Sequence, residues 1–242
     1  MQTQITEIAD RIYRLSTYLS EAGPTGFTFN QFLIDAEEPL LFHTGLRNTF
    51  PSVSDAVATI VPLRRLRWIT FGHFEADECG AMNQFLAAAP DGVVAHGEVG
   101  VMVSIIDQAD RMPRALRDGE VLDLGGKRVR RIDTPHVPHG WDAGLLFEET
   151  TGTLLAGDLF TRGGTYPALT EGDLLEEAIA FETNLPYSAI TARTAPTIDA
   201  LAALAPKTLG LMHNSAYAGD CAAALHGLAA WYGSRLEPIP IG

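Results

Sequence analysis

Four apolar segments of this chain each run into a loop that opens with histidine or aspartate, and this recurrence limits the folds open to it. Arg67–Phe71 empties into Gly72, His73, Phe74, Glu75, Ala76, Asp77 and Glu78. His139 follows Lys127–Ile132, Asp158 closes Leu154–Gly157, and His213 closes Leu209–Met212. Strand ends gather at one edge of a sheet sandwich, where dispersed imidazoles and carboxylates can meet around metal ions. In an extended loop, alternation turns His73, Glu75 and Asp77 to one side and Phe74 and Ala76 to the other. The plainer alternative is a solvated acidic loop, with Asp77 or Glu78 complementing a helix N-terminus.

The remaining pattern predicts alternating strands and helices. Strands are expected at Ile12–Leu15, Phe27–Ile34, Leu40–His43, Gly92–Ala95 and Thr208–Met212, with hairpins around Ala36–Pro39 and Thr150–Gly152. Helices are expected at Ser52–Leu63 and Cys79–Ala89, then from Leu174 to Leu204 with breaks at Pro186 and Pro196. A last helix should follow the Asp220 cap. No repeat or linker divides the 242 residues, so 1–242 reads as one domain, an α/β (α+β) protein of mixed sheets. A chain of this length buries about 70% of its unfolded surface and needs no staples.

Charge removes several function classes. Seventeen basic against thirty acidic residues give a net charge of −13, which disfavours nucleic acid and anionic membranes as partners. Two cysteines, Cys79 and Cys221, are too few for a thiolate cluster. The first fifteen residues lack the basic and apolar regions of a signal peptide, and no apolar run approaches the ~18 residues of a membrane span. A cytoplasmic location is the expectation.

The order His-x-Glu-x-Asp (His73, Glu75, Asp77), then His139, Asp158 and His213, resembles the metallo-β-lactamase fold. Glu at the second motif position is similar to the diiron domain of flavodiiron proteins and to stand-alone oxygen-binding diiron proteins. The resemblance runs from about Thr28 onward, through His43–Gly45 and Gly157–Asp158. It implies an αββα sandwich of two mixed sheets flanked by helices. It further implies that His73, Glu75, His139 and Asp158 hold one metal, while Asp77, His213 and a shared Asp158 hold the other. The implied cofactor is two iron ions, with zinc or manganese as alternatives. Zinc hydrolases of this fold resemble H-x-H-x-D-H, whereas Glu75 substitutes a hard oxygen donor suited to iron or manganese. Dioxygen or a related diatomic is the implied small-molecule partner, and a homodimer is common among such domains.

Two departures qualify the resemblance. Most flavodiiron proteins carry His after the motif Asp, where this chain has Glu78. As a ligand, Glu78 would balance two divalent ions with four carboxylates; turned away, it would leave the second metal a vacant position. The length also has no room for a further flavodoxin-like domain of roughly 150 residues. No FMN is therefore expected in this chain, and electrons would come from an external redox partner. A dinuclear hydrolase using metal-bound hydroxide on an ester, thioester or phosphodiester is the rival enzyme. An oxygen-sensing module without turnover and a scaffold whose site has lost its chemistry are the non-enzymatic rivals.

His139 is preferred to His136 because it lies four residues before the small pair Ala143-Gly144. His136 then falls behind the ligands or in the pocket wall, and His43 is read as a hydrogen-bonding or structural residue before a direct ligand. His96 and His226 have no companions at ligand spacing. Phe74, Trp141 and Tyr217 are assigned no chemistry. Cys79 sits at a helix start, where a thiol pKa can fall, though a small buried residue is the preferred reading.

Overall fold

The computed structural model describes residues 1–236; positions 237–242, the end of the unit expected over 1–242, lie outside the described residues. The first half of the chain forms one seven-stranded sheet in sequence order. It comprises β1 (Thr3–Ala9), β2 (Ile12–Leu19), β3 (Phe27–Ile34), β4 (Leu40–Phe42), β5 (Trp68–Thr70), β6 (Val93–Gly97) and β7 (Arg114–Leu116). Pairing is antiparallel through β4 and parallel from β4 to β7. The parallel pairs require crossovers. Helix α1 (Phe50–Ile60) supplies the first, and α2 (Ala76–Cys79) with α3 (Met82–Ala88) the second. The third runs through α4 (Glu98–Gly100), a π-helical stretch Val101–Ile105 and α5 (Ile106–Gln108).

The second half forms another seven-stranded sheet from β8 (Val121–Asp123), β9 (Arg128–Asp133), β10 (Gly144–Glu148), β11 (Thr153–Leu155), β12 (Leu169–Thr170), β13 (Thr208–Gly210) and β14 (Ala216–Tyr217). Its spatial order is β12-β14-β13-β11-β10-β9-β8. Helices α6 (Leu175–Asn184), α7 (Thr194–Ala202) and α8 (Cys221–Ser234) cover its outer face.

Period-two alternation builds the layers. Phe32, Ile34, Leu40, Phe42 and Trp68 face Leu146 and Leu155 between the sheets, while Leu33, Leu41 and Ile69 pack outward with α1 and α3. Leu145, Phe147 and Leu154 do the same against α6–α8. Each fully buried Phe or Leu contributes roughly 1.5–3 kcal/mol. Two mixed sheets flanked by helices is the expected αββα sandwich.

Several local expectations change. The strand expected at Ile12–Leu15 runs on to Leu19, and β1 has no counterpart among the expected strands because Thr3–Ala9 is an edge strand with a single buried residue. The helix expected over Cys79–Ala89 is two pieces. Gly45 brings its backbone against Gly80 and accepts a bond from the Ala81 N–H at 2.9 Å, which interrupts the helix. Pro196 does not break a helix but lies in the first turn of α7, where its missing N–H costs nothing. Asp220 caps α8 as expected, accepting from the Ala223 N–H at 2.9 Å.

Candidate metal centre

All four strand-end loops meet at one edge of the sandwich. Past β5, Phe71 and Gly72 carry the chain over the rim, and Gly72 O accepts the Gly144 N–H of the opposite sheet at 2.9 Å. His73 and Glu75 then turn to the same side. Asp77 arrives differently from expected: it belongs to the short helix α2, not to one extended run.

Glu75 Oε2 stands between two imidazoles, 2.7 Å from His73 Nε2 and 3.0 Å from His139 Nε2. Asp158 Oδ2 lies 3.8 and 3.6 Å from the same nitrogens. One donor atom from each of His73, Glu75, His139 and Asp158 falls within 4.8 Å of the others. The second oxygen of Asp158 faces elsewhere: Oδ1 is 3.4 Å from His213 Nε2, which is 3.2 Å from Asp77 Oδ2. Asp158 thus presents one oxygen to each of two donor sets.

The electrostatics are those of a cation site. Asp77 Oδ1 and Asp158 Oδ1 are buried without a hydrogen-bond partner, a costly state unless a positive charge lies between them. Burial opposes protonation of His73, but Glu78, Glu75 and Asp158 outweigh it and push its pKa up to about 12. His139 and His213 are likewise raised against burial, by Glu75 and Asp77 respectively. Hydrogen bonds from His139 and His73 hold Glu75 well below the ordinary carboxylate range. Three carboxylates and three imidazoles in this arrangement fit a pair of divalent ions that accept hard oxygen donors.

A family model described as ODP family beta lactamase matches residues 27–183. This chain belongs to that family. A Nostoc protein described as diflavin flavoprotein A 1 is 27% identical over 138 residues, covering 56% of this chain and 24% of its own length. The rubredoxin-oxygen oxidoreductase of Megalodesulfovibrio gigas is 23% identical over 140 residues, covering 57% of this chain and 35% of its own. This chain therefore spans between a quarter and about a third of those two relatives. Among solved structures, the Flv1 flavodiiron core of Synechocystis sp. superposes with a TM-score of 0.82 at 19% identity, over 96% of this chain and 61% of that one.

Within the ODP-family fold, the other candidates divide cleanly. His136 is exposed and is not among the four residues whose donor atoms lie within 4.8 Å of one another. Glu78 is wholly buried beneath His73, with Oε1 3.3 Å from His73 Nδ1 and 3.2 Å from His43 Nε2. His43 Nδ1 in turn lies 3.3 Å from Asn30 O. Cys79 and Cys221 are free and buried, and burial with the Glu78 charge pushes the Cys79 thiol up to about 12, the reverse of a reactive cysteine. Phe74 and Trp141 are exposed. The aromatic rings beside the cluster are Phe27 and Phe29, 4.6 and 5.2 Å from His213, and Tyr187, edge-on to His139 at 5.9 Å.

A supporting network was missed. His96 does have an acidic companion, Asp142, whose Oδ2 is 3.4 Å from its Nε2 and accepts the Phe74 N–H at 2.9 Å. Fully buried Arg131 donates to Asp133 Oδ1 at 2.9 Å and to Asp142 O at 3.1 Å, tying the His139 loop to β9, and Asp142 in turn holds the His73 loop at Phe74. Their separation in sequence hid them. Asn30 did carry a signal: it is a polar residue inside an apolar strand, and its Nδ2 donates to Leu211 O and Asn214 O on either side of the His213 loop.

Proposed function

We propose that this chain is a non-haem diiron domain that binds or reduces dioxygen or a related diatomic, with electrons from an external partner. The observation that carries the reading is the Glu75 carboxylate set between His73 and His139, where a zinc site would favour a third imidazole. The name of the Megalodesulfovibrio relative, joining rubredoxin to oxygen reduction, supports both the reaction class and a redox partner.

Iron bound here would supply one-electron chemistry and open positions for a diatomic. The protein does the rest. His73, Glu75, His139 and Asp158 would hold one ion, and Asp77, His213 and Asp158 would hold the other. His213 is fixed from behind by Nδ1 donating to Thr28 O at 2.9 Å, which aims Nε2 at the centre. Asp158 is steadied through its backbone carbonyl, which accepts from Thr161 Oγ1 at 2.7 Å and Tyr187 Oη at 3.1 Å. Phe27, Phe29 and Tyr187 exclude water from one side.

Elemental analysis of protein purified aerobically without added metal, together with its optical spectrum, tests the proposal. Iron with a near-ultraviolet band that disappears on reduction is the expected result. Predominant zinc accompanied by ester or phosphodiester turnover would overturn it.

A further inference from the structure

We infer that Glu78 is a positioning residue for His73 and not a metal ligand, so that the two metal positions are unequal and fill in two steps. The inference rests on the metal-centre reading above. Consecutive residues of a helix point about 100° apart. In α2, Asp77 faces His213 while Glu78 turns beneath the site. Glu78 is held there at Oε2 and at its backbone carbonyl. Its Oε2 accepts the His73 N–H at 2.7 Å, and its backbone carbonyl accepts from the Thr44 N–H at 2.6 Å and Thr44 Oγ1 at 3.1 Å. Room for the carboxylate exists because residue 72 is glycine: a Cβ there would stand 3.0 Å from Oε2 and 3.1 Å from Oε1.

That placement decides the orientation of His73. With Glu78 Oε1 3.3 Å from Nδ1, the free nitrogen is Nε2, which faces Glu75 and Asp158. A carboxylate behind a ligating histidine fixes its ring and tautomer and raises its basicity. His43 completes the support from the far side. Its backbone is left-handed, with φ 65°, and its N–H donates to Thr70 O at 2.8 Å, which seats Nε2 within 3.2 Å of Glu78. With Glu78 committed to His73, the first position has four protein donors and the second has Asp77, His213 and a shared Asp158. The first ion binds tightly and the second weakly.

The test is a Mn2+ titration of the metal-free full chain, with free Mn2+ counted by electron paramagnetic resonance and thermal unfolding of each metal-free form recorded alongside. Wild type should load in two steps separated by at least about tenfold. Glu78→Gln should weaken the tight step about 10–100-fold and leave the weak step unchanged. His43→Asn, which suits a left-handed backbone and reaches His73 only through Glu78, should weaken the tight step less. It carries the test if Glu78→Gln does not fold. Loss of the weak step alone in Glu78→Gln would make Glu78 a ligand and overturn the inference while leaving the metal centre standing. Simultaneous loading of both ions in wild type would also overturn it. A wild-type chain that binds no Mn2+ would sink the metal-centre reading as well.

Discussion

Glu75 and Asp158 carry different burdens among the six candidate ligands. Glu75 sets donor hardness and charge. Replacing it with His removes one negative charge and adds an imidazole, favouring the four-coordinate nitrogen set of zinc over ferric iron. Glu75→His is expected to raise the zinc-to-iron ratio and to lose any oxygen-dependent spectral change while keeping its fold; metal content and spectra of both proteins from one medium check this. Asp158 connects the two donor sets, since its oxygens face His139 and His213 separately. Asp158→Ala should therefore retain at most one weakly held ion, and two ions at wild-type affinity would contradict the proposed bridge. The motif residues were legible because strand-end loops put chemistry in short runs of sequence. The orientation of Glu78 was not, because it depends on His43, Thr44 and the missing Cβ of Gly72.

The β10–β11 hairpin delivers Asp158, and one buried carboxylate locks its turn. Glu148 accepts the Thr150 N–H at 3.0 Å and the Thr151 N–H at 2.8 Å, besides both hydroxyls. Burial disfavours its charge, yet these bonds prevail and hold its pKa below the ordinary value of 4.5. The folded pKa lies under the unfolded one, so this contribution is complete above pH 4.5 and fades as pH falls through the folded value. Glu148→Gln should cost about 1–3 kcal/mol at neutral pH and show a shallower acid decline in denaturant titrations. On β10 itself, a Cβ at Gly144 would collide with the buried Arg131 guanidinium. Gly144→Ala should lose roughly 1–3 kcal/mol in the same assay and loosen the loops that Arg131 ties down. At this scale the sequence was readable wherever apolar alternation was strong: β3 matches Phe27–Ile34 residue for residue. It was opaque where tertiary contact decides, as at Gly80, or where a strand lies exposed, as in β1.

Across the whole molecule, each sheet is built from one half of the chain, and the candidate ligands divide the same way. His73, Glu75 and Asp77 come with the first sheet; His139, Asp158 and His213 come with the second. Metal bound across the seam stabilises only the closed sandwich. At a free concentration one hundred times its Kd it should add about 2.7 kcal/mol. A chain of this size should then melt roughly 5–10 °C higher, a difference that calorimetry with and without chelator will resolve. The fold was legible at this scale from the order of the strand-end histidines and carboxylates, although a solved structure of the same fold shares only 19% identity. The divided ownership of the ligands also governs exchange. An ion shared by two halves cannot depart by the swing of one loop; the halves must part locally first. In a chelator chase, the release rate should become independent of chelator concentration, and that plateau would clock the breathing of the seam between the sheets.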